Sequence, residues 1–369
     1  MRFAIVVGTR PELIKMAPVI RAAMELRLDF RLVHSGQHYD EAMDKMVFAQ
    51  FDLPQPDVNL GIGSGTHAIT TSRILKRLEP YVQREHIGGV LVHGDTNTTL
   101  GAALVSAKLN LPIGHVEAGL RSFDRTMPEE INRIVVDHIA THLFAPTHDA
   151  VDQLHHEGIQ SGIVMTGQTA VDALEYLRPR LKKTTLVTQY GLDTGKYFFM
   201  TCHRQENTDD KDKLLSIFEE VEQVAVETKM QIAFPVHPRT KLRLQQYGHY
   251  DDLCRNPRFL VIDPPCDYFT SLVLQLNARL ILTDSGGIQE EACILGIPCV
   301  TLRENTERPE TVEMGANVLA YGGNGSGDAV KQVGRIRAAV EKMLATSAQW
   351  EHGYGDGKSS YRILSSFVS

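Results

Sequence analysis

The feature that most constrains this chain is a pattern: short, continuous apolar runs alternate with stretches of helical spacing, and the whole series occurs twice. Runs of strand length lie at 3–7, 31–33, 90–92, 112–116, 143–145 and 163–165. Stretches of helical spacing lie between them, for example at 13–24 and 69–78. A charged, helix-like connector follows Tyr176 and runs to about Lys196. The pattern then restarts at 197–201, 231–236, 259–262, 279–283, 298–302 and 317–320. Strands that are apolar on both faces belong in parallel sheets covered by helices on both sides. Two such series predict an α/β chain of two doubly wound, Rossmann-like domains, at 1–175 and 176–354. The 369-residue length suits two domains.

Composition removes several functions. The net charge is −7 and the basic residues are scattered, which argues against a nucleic-acid partner. No apolar run approaches ~20 residues, so no membrane span is expected. The run at 3–7 is too short for a signal-peptide core and meets Arg10 and Glu12 at once, so it reads as a buried strand of a cytoplasmic protein. Cys202, Cys254, Cys266, Cys293 and Cys299 form no CxxC pair and read as reduced core residues. His93, His115, His138 and His142 form no compact ligand set; they read as core or hinge histidines, and no metal is expected.

Open parallel sheets bind ligands beyond the carboxyl ends of their strands, and two domains create a cleft. The loops there carry the chemistry. Gly8-Thr9-Arg10-Pro11-Glu12 joins a strand to a helix, and Arg10 and Lys15 sit where free amides already favour an anion. Asp284-Ser285-Gly286-Gly287 opens another helix, and its paired glycines let amides approach a phosphate. Glu291, about one turn on, suits ribose hydroxyls. Asp95, Glu117, Glu129 and His203 fall at strand ends or helix starts and form an acid/base set. These strand-end positions are expected to face solvent. Singly, each also suits a cap or an ion pair, and Asp95 suits the N-cap of the following helix.

In order along the chain, these motifs resemble the non-hydrolysing UDP-N-acetylglucosamine 2-epimerases. The match runs through Gly8-Thr9-Arg10-Pro11-Glu12 with Lys15, His93-Gly94-Asp95-Thr96, His115-Val116-Glu117-Ala118-Gly119-Leu120-Arg121 and Pro128-Glu129-Glu130-Ile131-Asn132-Arg133. It continues through His203-Arg204, Pro235-Val236-His237-Pro238, Asp284 to Glu291, Thr306-Glu307-Arg308-Pro309-Glu310 and Tyr354-Gly355-Asp356-Gly357. The resemblance implies a glycosyltransferase-B-like fold with the active site in the interdomain cleft. It also implies a last helix, 355–369, that joins the first domain. Ser285, Gly286 and Gly287 would hold the diphosphate, Glu291 the ribose, and Arg10 and Arg308 the phosphates. The turn at Cys266 and Ser271 would meet the uracil. Lys15, Asp95, Glu117, Glu129 and His203 would surround the sugar. A homodimer that supplies cell-surface polysaccharide is implied as well.

The expected reaction interconverts UDP-GlcNAc and UDP-ManNAc without NAD, metal or other cofactor. C2–H is not acidic, and no dinucleotide fingerprint is present. Anti-elimination of UDP to a 2-acetamidoglucal, with re-addition and protonation on the opposite face, avoids oxidation. A glycosyltransferase on the same fold, or a non-catalytic UDP-sugar sensor, are the competing classes.

The two halves differ over the sugar. Ser35 to Asp40, Asn59 to Gly65 and Leu120 to Phe123 look like a sister branch acting on UDP-2,3-diacetamido-2,3-dideoxyglucuronate, whose extra carboxylate the Gly61–Gly65 loop could receive as a nest. Gln289-Glu290-Glu291 and Glu307 to Glu310 look like the GlcNAc branch, which we take as the expectation. In bacterial members a segment like Gln37-His38 serves a second, activating substrate site. Here it continues Tyr39-Asp40, and an acid there disfavours a second diphosphate, so weak or absent substrate activation is expected.

Overall fold

A computed structural model describes residues 1–37, 41–322, 334–346 and 349–369; Tyr39 and Asp40, on which the activation expectation rests, lie outside them. The first sheet contains Phe3–Val7 (β1), Phe30–His34 (β2), Val58–Asn59 (β3), Val90–His93 (β4), Ile113–Val116 (β5), His142–Ala145 (β6) and Ile163–Met165 (β7). Its spatial order is β3-β2-β1-β4-β5-β6-β7. The second contains Tyr197–Thr201 (β8), Gln231–Pro235 (β9), Phe259–Ile262 (β10), Leu280–Thr283 (β11), Cys299–Thr301 (β12) and Asn317–Leu319 (β13), in the order β10-β9-β8-β11-β12-β13. The pairs on either side of each reversal, β1 with β4 and β8 with β11, are parallel. The strand order therefore reverses between β1 and β4 in one sheet and between β8 and β11 in the other.

All twelve apolar runs form strands, each within a residue of its expected ends. The two-residue β3 has no apolar run to announce it. It follows Pro54 and Pro56 and pairs only at the sheet edge. The chain forms two compact units, Met1–Leu177 with Gly353–Ser369, and Arg178–His352. In the first, Ala4, Val6, Val33, Val90 and Val92 pack under Ile74, Leu78 and Val105. In the second, Phe198, Met200, Ile232 and Leu282 pack with Ile217, Phe218 and Val221.

The C-terminal helix Ser359–Val368 belongs to the first unit. The buried Asp172 carboxylate accepts from Ser360 N at 2.8 Å and Ser360 Oγ at 2.6 Å. Phe367, 3% exposed, meets Phe3 edge-on at 5.8 Å and His142 at 5.4 Å. Phe367→Ala is expected to cost about 3–5 kcal/mol, as other buried aromatic truncations do. Urea denaturation checks this, and a loss below about 1 kcal/mol contradicts the packing role.

Some side chains differ from expectation. Cys254 and His138 are exposed, because each lies on the outer face of its helix. The N-cap after β4 is Thr96, whose hydroxyl accepts from Thr98 N and Thr99 N; Asp95 is thereby free of the capping role. No described helix is long and apolar enough to cross a membrane.

Candidate active site

In the first unit, the loops after β1 and β4 meet at the switch point, where ligands of open α/β sheets bind. Their closeness explains Gly8: an added Cβ would lie 2.1 Å from Thr98 Oγ1 and 2.4 Å from Ser35 Oγ. Buried Glu12 staples the two loops. It accepts from Gly8 N (3.0 Å), Thr9 N (2.7 Å), Thr96 Oγ1 (2.8 Å) and Thr99 Oγ1 (3.0 Å). Burial raises its pKa, and these donors oppose the rise.

Glu117 follows β5 in a left-handed conformation, φ 69°, that non-glycine residues seldom adopt. It is 8% exposed, so it does not face solvent as expected. Lys15, from the helix Arg10–Glu25, reaches back to form a short ion pair with Glu117 Oε1. His93 Nε2 lies 3.4 Å from the other oxygen, Oε2. Burial pushes His93 down to about 4 despite the Glu117 charge, so its ring is neutral near pH 7. The expectation of a core or hinge role for His93 missed this contact with an acid of the site.

Asp95 is half-buried and pairs with Arg133 at 2.5 Å, while Asn132 Nδ2 donates to the Asp95 carbonyl at 2.8 Å. Both partners lie on the helix Pro128–Ile139, which also carries Glu129 in its first turn. Asp95 and Glu129 line one cavity of about 250 Å³ with Thr9, Gln37, His67 and Asn132. Arg10, in the first helical turn, is exposed. Three amides of the Gly61–Gly65 loop are already engaged within the protein. Gly61 N donates to Asn59 Oδ1, Ile62 N to Ser35 O and Gly63 N to Gly36 O. Arg73 and Arg77 donate to its carbonyls.

In the second unit the switch point lies between β8 and β11. His203 follows β8 and is half-buried. It stacks on His237, with ring centroids 5.1 Å apart. Burial lowers its pKa; the Asp284 charge opposes this, and Arg204, Arg239 and Arg303 add to the lowering. Ser285 stands at the N-cap of Gly286–Leu295 without a side-chain capping bond. Neither Gly286 nor Gly287 has positive φ. A Cβ on Gly287 would meet nothing within 4 Å, and one on Gly286 only Glu307 Oε2 at 3.5 Å. Neither backbone strain nor packing therefore requires these glycines.

Gln275 Nε2 bridges Glu291 Oε2 (2.7 Å) and Ser271 Oγ (3.2 Å). The expected turn at 266–271 is instead the start of the helix Tyr268–Leu276, capped by Asp267, so Ser271 is helical and half-buried Cys266 precedes the helix. Arg308 Nε donates to buried Glu290 at 2.5 Å, and its Nη1 to Glu307 O at 2.8 Å. Burial raises the Glu307 carboxyl, but Arg303 and Arg204 together hold it down to about 2. The expected residues thus form two groups, one per unit. The sequence reading missed His93, Arg133 and Glu12 as partners. It also passed over Asp284, which it saw only as the first residue of a loop.

The fold defines a class: an α/β chain of two Rossmann-like units, each with a group of polar and charged residues at the switch point of its sheet. A family model described as UDP-N-acetylglucosamine 2-epimerase matches residues 21–367. The UDP-N-acetylglucosamine 2-epimerase of Methanocaldococcus jannaschii is 46% identical over 99% of this chain and 98% of its own. Its structure in complex with UDP-GlcNAc and UDP superposes with a TM-score of 0.87, covering 99% of both chains. The UDP-2,3-diacetamido-2,3-dideoxy-D-glucuronate 2-epimerase of Pseudomonas aeruginosa is 39% identical over 98% of each chain. MurG of Acinetobacter baumannii, 10% identical with a TM-score of 0.54 over 100% of this chain and 99% of its own, shares the fold alone. The chain belongs to the UDP-N-acetylglucosamine 2-epimerase family.

Proposed function

We propose that this chain is a non-hydrolysing epimerase that interconverts UDP-GlcNAc and UDP-ManNAc, with both switch-point groups acting on one substrate. The observation that carries the proposal is their division of labour. One group holds paired carboxylates and a lysine. The other presents an uncapped, glycine-opened helix N-terminus. Elimination of UDP needs both an acid/base set and an anion cradle.

In the proposed reaction a carboxylate takes the C2 proton, the C1–O bond breaks with its electron pair leaving on UDP, and C1=C2 forms. Return of UDP to C1 with protonation of C2 on the opposite face gives the epimer. Asp95, Glu117, Glu129 and His203 are the proposed acid/base groups, and Lys15 holds Glu117 in place through their ion pair. Ser285, Gly286 and Gly287 would take the diphosphate at the helix N-terminus, Ser285 through its hydroxyl because its amide already donates to Thr283 Oγ1 at 3.0 Å, and Arg10 and Arg308 would add positive charge. Glu291 would hold the ribose, oriented by Gln275, and Cys266 with Ser271, at the start of the helix Tyr268–Leu276, would meet the uracil. We place the enzyme in the cytoplasm as a homodimer serving polysaccharide synthesis; a sedimentation mass at the monomer value would remove the dimer.

Two observations favour GlcNAc over the diacetamido uronate. The Gly61, Ile62 and Gly63 amides are already bonded within the protein, which takes these three out of any nest for an added carboxylate. The similarity is also higher to the GlcNAc enzyme, 46% against 39%. We expect kcat/KM for UDP-GlcNAc to exceed that for the diacetamido uronate on the same preparation; a preference of ~100-fold for the uronate, about 2.7 kcal/mol, would reverse the sugar assignment alone.

The testing experiment is incubation with UDP-GlcNAc in D2O. Deuterium at C2 of both epimers is expected. UDP release only on adding an acceptor would indicate a transferase, and tight UDP binding without turnover a sensor.

A further inference from the structure

Asp284 is fully buried, yet it lies at the end of β11 beside a site residue. Its two oxygens do different things. Oδ2 accepts from His203 N at 2.8 Å, Arg204 N at 2.8 Å and Asn207 Nδ2 at 3.1 Å. Three donors on one oxygen fix the carboxylate's rotation and tie the β8 loop to the β11 loop. Oδ1 is buried and accepts no hydrogen bond. It lies 3.2 Å from His203 Nδ1. A buried carboxylate oxygen left without a donor is costly, and the imidazole N–H is the strong donor within reach. The Cys202 thiol also faces this carboxylate, but a thiol is a weak donor.

We infer that Asp284 is a positioning residue for His203: it holds the ring with the proton on Nδ1 and leaves Nε2 to exchange a proton with the ligand. His203 is then held from two sides, by the carboxylate at Nδ1 and by the stacked His237 ring on its face. The arrangement fixes a tautomer, and a tautomer decides whether Nε2 can take a proton at all. A purely structural staple would need only Oδ2. The inference rests on His203 being an acid/base group, as proposed above.

The charged groups around the ring are Asp284, Arg204, Arg239 and Arg303. Three are cations, so Asp284 is what opposes their lowering of the imidazole. Removing its charge must therefore shift the His203 titration to lower pH. Asp284→Asn keeps an oxygen for the three donors at Oδ2, but it places an NH2 toward Nδ1. That amide can only donate, so Nδ1 becomes the acceptor and the proton moves to Nε2.

The test is 15N NMR of histidine-labelled protein, with His203 assigned by its absence in His203→Asn. Wild-type His203 is expected to be the Nδ1–H tautomer when neutral; an Nε2–H tautomer there overturns the inference without any Asp284 variant. In Asp284→Asn we expect the Nε2–H tautomer, a lower titration midpoint, and kcat down at least about 100-fold. An unchanged tautomer and midpoint in a folded Asp284→Asn also overturn it. The double variant with His203→Asn is expected to lose no more activity than His203→Asn alone, because Asp284 acts through that ring. The NMR readout needs no turnover. If wild type fails to exchange C2–H in D2O while the tautomer is as stated, the epimerase reading fails and the His203–Asp284 pairing stands.

Discussion

Glu117→Gln lowers kcat by about 1000-fold or more while substrate binding survives. The amide cannot take or return a proton, and loss of a positioned acid/base group removes roughly 100–10,000-fold. The effect lies at the upper end because the change also breaks the pair with Lys15, which is only 16% exposed at its side chain. Gln leaves the ammonium beside a neutral group and alters the field at the reacting centre. Glu117 is buried, so folding also suffers, and a drop in thermal midpoint is expected alongside. Asp95→Asn and His203→Asn should each cost at least about 100-fold, with smaller stability losses, because both side chains are nearer a third exposed. Steady-state kinetics on folded variants decides. Turnover like wild type in all three removes the acid/base assignment.

Arg308→Ala is expected to lower kcat/KM by about 100–1000-fold, the usual loss on removing one donor to developing charge. It should also destabilise the fold, by up to about 3–5 kcal/mol, because it takes the Arg308 cation from the Glu290 carboxylate, which is 1% exposed. The two effects can be separated. Replacing the pair together, Arg308→Leu with Glu290→Leu, removes the buried charge and should recover most of the stability. Activity should stay low, since no cation returns to the diphosphate. Arg308→Lys should be impaired as well, because Lys cannot donate to Glu290 and Glu307 O in Arg308's fork geometry. Recovery of activity in the double leucine variant would show that Arg308 matters only to folding.

The strands were legible because a strand covered on both faces must be apolar throughout, and β1 and β8 are read directly from 3–7 and 197–201. Hydrophobic patterning is local, as is the glycine pair at the start of Gly286–Leu295. The partners of the site residues were not legible, because tertiary folding creates them. Lys15 and Glu117 are 102 residues apart, and Asp284 lies 81 from His203. Nothing in the neighbourhood of Glu117 distinguishes an acid with a lysine partner from a solvated one, which is why it was expected to face water. At Asp95 a local rule leaves two roles open: Asp and Thr are both good N-caps, and the fold uses Thr96, leaving Asp95 to Arg133.

The central claim is that UDP leaves C1 and returns. UDP-GlcNAc carrying 18O in the bridge between C1 and the β-phosphorus tests it most directly, because a departed UDP can rotate its β-phosphate before re-adding. The account predicts that 31P NMR will show the label moving from the bridge into non-bridging β-phosphate positions as epimerisation proceeds. Complete epimerisation with the label retained in the bridge, and with no UDP or 2-acetamidoglucal detectable in the reaction, would contradict elimination as the route.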